Sequence, residues 1–175
     1  MLQRFADLLL LVPAPFPELT CSGFRADTDV AMHKIQADID IGATPERVWS
    51  ILTDFSAYPS WNPFIRSISG TIKTGQRLTV SIQPVGGRAM TFRPTVLLTK
   101  PNCELRWLGH FLFPGIFDGE HFFMIAAGPS GGVRLTQGEQ FSGVLVGLAK
   151  RSLDRGTLPG FVAMNAALKA RAESL

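Results

Sequence analysis

His121 and Glu139 are the residues of this chain whose types and spacing could do chemistry together. The stretch Gly128-Pro129-Ser130-Gly131-Gly132 reads as the loop of an antiparallel hairpin, joining the runs Gly119 to Ala127 and Val133 to Phe141. In such a pair His121, Phe123 and Ile125 share one parity and lie near Glu139, Gln137 and Leu135 on the facing strand. Phe123, Ile125, Leu135 and Phe141 are apolar and belong inside, so His121 and Glu139 face inward with them. A carboxylate beside an imidazole in apolar surroundings could act as a general acid and base, since burial and mutual charge move both titrations toward neutrality. The same two side chains could instead hydrogen-bond each other, or orient a ligand carbonyl.

Other chemistries lack their residues. His33 and His110 have no partners at metal-ligand spacing, and no zinc motif surrounds Cys21 or Cys103. The glycines form no G-x-G-x-x-G or P-loop, and the serines no nucleophile elbow, so no metal and no cofactor is expected. The 17 Lys and Arg are scattered among 14 acids for a net charge of +3, without the basic and aromatic interleaving of a nucleic-acid binder. The densest basic patch, Lys150-Arg151 with Arg155, reads as a solvated helix face, with an anionic membrane surface as the lesser alternative.

Composition points to an apolar interior. The 175 residues suffice for one domain with a substantial core, and 13 Phe stand against a single Tyr. Phenylalanine brings area without a hydrogen-bonding handle, which favours a large core or an apolar cavity over a polar cleft. Two isolated cysteines fit a reducing compartment. The opening MLQRFADLLLLVPAPF resembles a weak signal peptide interrupted by Asp7 and three prolines, so the expected location is cytoplasmic.

The elements that must position these residues begin near Met32; residues 1–31 have no clear period and read as an N-terminal extension to a domain spanning 32–175. His33 to Ile41 alternates as a half-buried strand. Thr44 is a plausible N-cap with Pro45 in the first turn, and Val48, Ile51, Leu52 and Phe55 recur at helical spacing until Pro59 and Pro63 forbid continuation. Strand-like runs follow: Phe64 to Ile72, Arg77 to Gln83, Met90 through Lys100 with Pro94 at an edge or bulge, and Cys103 to Phe111. From about Val144 to Ser174 apolar residues recur at helical spacing, with a kink or break expected near Pro159. The order is strand, helix, several antiparallel strands and a long C-terminal helix, an α+β arrangement with helices on one face of a curved sheet.

The segment ATPERVWSILTDFSAYPSWNPFI after an alternating first strand, the GEHFF and EQFSG strands, and the ending FVAMNAALKARAE resemble the START-like superfamily of polyketide cyclase/dehydrase-like proteins. The likeness covers residues from about 33 to 173. It implies a helix-grip fold: six or seven antiparallel strands around a long C-terminal helix, two short helices after the first strand, and a deep hydrophobic cavity. It further implies that Trp61, Phe64, Val80, Phe92, Trp107, Phe123, Phe141, Phe161 and Asn165, with His121 and Glu139, contact a lipid, polyketide or aromatic ligand. One fold serves carriers, receptors and enzymes, so two readings stand. The protein binds or carries a hydrophobic molecule, or it is a cyclase or dehydratase using His121 and Glu139. The apolar loop Leu112 to Phe117 is expected to be a lid, a dimer contact or a foot on a membrane, or to tuck under the last helix.

Overall fold

The computed structural model describes residues 32–111 and 113–174. The expected extension, residues 1–31, and Leu112 of the apolar loop lie outside the described residues. Strand β1 (His33–Ile41) buries Ile35, Ala37 and Ile41 from its alternating sequence. Helix α1 (Pro45–Thr53) starts where Thr44 accepts a hydrogen bond from the Arg47 N–H at 3.3 Å, and it buries Val48, Ile51 and Leu52.

The prolines of the next segment act differently from the sequence expectation. Helix α1 has already ended at Asp54, and Phe55–Ala57 form one 3-10 turn. Pro59 then sits in the first turn of a second short helix, α2 (Tyr58–Trp61), where its missing N–H costs nothing. The exit into β2 (Ile65–Gly70) is made by Asn62, whose Oδ1 accepts from the N–H groups of Phe64 and Ile65 at 3.0 and 2.8 Å. Tyr58 is fully buried and donates from its hydroxyl to the Leu52 carbonyl at 2.8 Å, fastening α2 to α1.

Burial, reinforced by Asp54, holds the Tyr58 phenol well above its ordinary range. A proton that only the unfolded chain can release makes stability fall as pH rises above about 10, by about 1.4 kcal/mol per pH unit. Denaturant unfolding of the wild type and of Tyr58→Phe on both sides of that pH measures it; the variant is expected to lose this part of the alkaline slope.

Among the described residues, eight strands form two hydrogen-bonded sheets. One has the order β1-β8-β7-β6-β5, with β5 Thr95–Lys100, β6 Glu104–His110, β7 Asp118–Ala127 and β8 Val133–Ser142; the other, β2-β3-β4, contains β3 Leu78–Ile82 and β4 Met90–Phe92. The continuous strand expected from Met90 to Lys100 is broken at Arg93-Pro94. Proline cannot donate to a ladder, and here its carbonyl accepts from the Leu78 N–H at 2.9 Å while Val96 donates to the Gln76 carbonyl at 2.9 Å. Those bonds join the two sheets at a corner, giving the curved, helix-gripping wall.

Helix α3 (Val146–Glu173) fills the curve. It runs through Pro159 without the expected break. Pro159 is exposed, so water can satisfy the Arg155 carbonyl that loses its helical partner. Beyond it Phe161, Met164, Asn165, Leu168 and Ala172 are buried at spacings of three or four residues. Asn165 Nδ2 donates to the Ala37 carbonyl at 3.1 Å and Lys169 Nζ to that of Asp40 at 2.7 Å, securing α3 to β1. On the smaller sheet's side, Gly160 lies directly beneath the Phe64 ring, and a Cβ there would overlap ring carbons.

Candidate functional site

The ladder between β7 and β8 pairs His121 with Glu139, Phe123 with Gln137 and Ile125 with Leu135. One face of this hairpin looks into the curve of the sheets, so the pair at 121 and 139 stands where the core gives way to an open space. That space is a cavity of about 120 Å³ walled by Phe64, Val80, Ile82, Phe92, Trp107 and Phe141, with His121, Glu139, His110 and Thr157 as its polar groups.

His121 is held on every side. Its ring stacks on Trp107 at 5.0 Å and 8°, and meets the edges of Phe123 and Phe161 at 4.9 and 5.2 Å. Gln137, wholly buried behind it, places its Nε2 3.4 Å from His121 Nε2 and 3.4 Å from the Met164 sulfur. In the tautomer where the amide donates to Nε2, the imidazole carries its proton on Nδ1, which faces Glu139 Oε2 at 3.6 Å. That separation exceeds a direct hydrogen bond, and a ligand hydroxyl, accepting from the N–H and donating to the carboxylate, could bridge it. Gly119 makes the arrangement possible, since any side chain at that position would collide with the Glu139 carboxylate. The site thus offers an N–H donor and a carboxylate acceptor side by side at the end of an apolar chamber.

Seven of the residues expected from sequence line the cavity: Phe64, Val80, Phe92, Trp107, His121, Glu139 and Phe141. The other four are placed elsewhere. Trp61 is half-buried against the Tyr58 ring at 5.0 Å. Phe123 and Phe161 are packed in the core behind His121, and Asn165 is engaged with β1. Sequence reasoning did not single out Gln137 as a site residue, although its parity with Glu139 was visible, nor Met90, Leu153 and Thr157 at the cavity mouth.

The remaining histidines have acidic partners. His33 Nε2 lies 2.6 Å from Asp154 Oδ1, and His110 Nδ1 lies 2.7 Å from Asp118 Oδ1. The apolar loop divides its residues: Phe117 packs on Phe141 at 5.5 Å, whereas Phe113 is 69% exposed. Its backbone is bonded to the entry of α3, with Val144 and Leu145 donating to the carbonyls of Gly115 and Ile116 at 3.2 and 3.1 Å. Cys103 is buried and is not a free thiol, so it no longer supports the reducing compartment read from two isolated cysteines; Cys21 lies outside the described residues.

The model of a family described as polyketide cyclase / dehydrase and lipid transport matches residues 32–173. The chain belongs to that family. No curated protein matches it in sequence. Among solved structures, the family fold is shared with the di-domain ARO/CYC BexL of the BE-7585A biosynthetic pathway at TM-score 0.66 and 14% identity, over 82% of this chain and 51% of that one. The chain therefore spans about half the length of that di-domain protein. The Zhui aromatase/cyclase from Streptomyces sp. R1128 is similar at TM-score 0.65 and 16% identity, over 82% of this chain and 94% of its own. TTHA0849 from Thermus thermophilus follows at 0.63 and 16%, over 80% and 97%. At these identities the structures share the helix-grip fold of the family. None of the described helices is long and apolar enough to cross a membrane.

Proposed function

We propose that this member of the family binds and carries a small hydrophobic molecule, such as a lipid, polyketide or aromatic compound, in the cavity between the curved sheets and α3. The observation that carries the reading is the distribution of chemistry along the cavity wall. Aromatic and aliphatic side chains make up most of it, and the paired donor and acceptor of His121 and Glu139 stand together at one place. That is the form of a site that desolvates an apolar body and fixes one polar end. An enclosed apolar space of about 150 Å³ takes up benzene, so this chamber of about 120 Å³ suits one ring or a short chain. Anything longer must extend outward through the mouth.

The cyclase or dehydratase reading rests on the same pair, since an imidazole N–H beside a carboxylate can move protons on a substrate held against them. Native mass spectrometry of protein purified from its own host is expected to show a co-purified apolar ligand. His121→Ala and Glu139→Ala are then expected to weaken its retention by about three- to tenfold, the worth of one buried hydrogen bond. Unchanged binding combined with loss of turnover on a polyketide-like substrate would favour the enzyme instead.

A further inference from the structure

The cavity does not end at its mouth. Pro84, Met90, Leu153 and Thr157 line both the inner chamber and an outer groove of about 680 Å³ between the β3–β4 turn and the first half of α3. This groove is within the size range of small-molecule sites, roughly 300–1,000 Å³. The turn packs on the helix at Gly156, where an added Cβ would lie in ordinary contact with Pro84 at 3.5 Å.

The groove differs chemically from the chamber. Arg88 on the turn and Arg151 and Arg155 on α3 line it, and no acidic residue does. Among the described residues none of these three guanidinium groups has an ion-pair or hydrogen-bond partner. Asp154, the neighbour of Arg155, reaches instead to His33. Arg151 and Arg155 are four residues apart on one helix face, where like charges repel. Val85 and Leu148, 59% and 87% exposed, also line the groove, and with Pro84, Met90 and Leu153, which line both spaces, they give it an apolar surface leading to the chamber.

We propose that the groove is the anion-binding end of the site, and that the ligand is an amphiphile ending in a carboxylate, sulfonate or phosphate. Its apolar part enters the chamber past Met90 and Leu153. Its anionic group rests on Arg88, Arg151 and Arg155, where planar guanidinium donors match such oxyanions. This deepens the binding reading above and depends on it.

Two fluorescent probes separate the parts in the full-length protein: anilinonaphthalene sulfonate, and phenylnaphthylamine, which has the same rings without the charge. The sulfonate is expected to bind about tenfold more tightly, with the advantage shrinking as salt is added. The triple substitution Arg88→Gln, Arg151→Gln, Arg155→Gln is expected to erase the difference and leave phenylnaphthylamine unaffected. Inorganic phosphate, which has charge but no ring, is expected to compete poorly; displacement of the sulfonate by phosphate at equal concentration would reduce the groove to a simple anion site and overturn the proposal. So would a sulfonate affinity that survives the triple substitution, including the case where the variant only detaches the protein from phosphatidylglycerol vesicles. If phenylnaphthylamine does not bind, or binds equally well after Val80→Trp, the chamber reading itself fails and takes this one with it.

Discussion

Val80→Trp is expected to abolish binding of neutral apolar probes while leaving a folded protein. Val80 is buried on β3 and its side chain forms part of the chamber wall together with Trp107 and His121. An indole there projects into space that is empty rather than into packed neighbours, so the usual overpacking cost of about 1–3 kcal/mol is largely avoided. The ligand loses that same space. A ring burying about 150 Å² of apolar surface gains about 4 kcal/mol at 25 cal/mol per Å², so exclusion is expected to weaken binding by about 100- to 1,000-fold. Titration with phenylnaphthylamine alongside thermal unfolding checks both halves; retained affinity would mean the probe binds elsewhere.

The second large effect concerns stability. Phe161 is wholly buried on α3, with its ring edge-on to Phe64 at 5.4 Å and to His121 at 5.2 Å. It therefore joins the helix, the smaller sheet and the polar pair at a single point. Phe161→Ala is expected to cost about 3–5 kcal/mol, from lost burial and from the hole left behind. The hole would open beside His121, so the variant should also accept bulkier probes than the wild type and be restabilised by them. Chemical denaturation with and without phenylnaphthylamine measures both; a loss of less than about 1 kcal/mol would show that the site collapses around the missing ring.

The hairpin was the most legible part of the site. A Gly- and Pro-rich loop between two alternating runs sets parity, and parity alone places His121 opposite Glu139 and both on the interior face. The helix start at Thr44 and Pro45 was equally plain, because an N-cap is a local hydrogen bond. Local rules also misled. Pro59 looked like the stop of α1, yet it opens α2, since a proline at a helix start and one past a helix end are the same residue in sequence. Pro159 looked like a break, yet packing of the residues after it against β1 carries α3 through.

Sequence by itself carried the motifs that resemble the family, and it set the coarse order of elements and the parity of the strands, because those two follow from neighbours a few residues apart and from periods of two or 3.6. It could not say which inward positions face packed atoms and which face a void. Phe123 and Phe141 occupy inward positions on paired strands, but the first is core and the second cavity wall. That difference arises from the corner at Pro94, the path of α3 and the placement of Gly160 under Phe64, none of which a single strand contains. Likewise Arg151 and Arg155 read as an ordinary solvated helix face until the fold brings Arg88 across the groove from them. Emptiness and charge convergence are properties of several distant segments at once, and only the tertiary structure decides them.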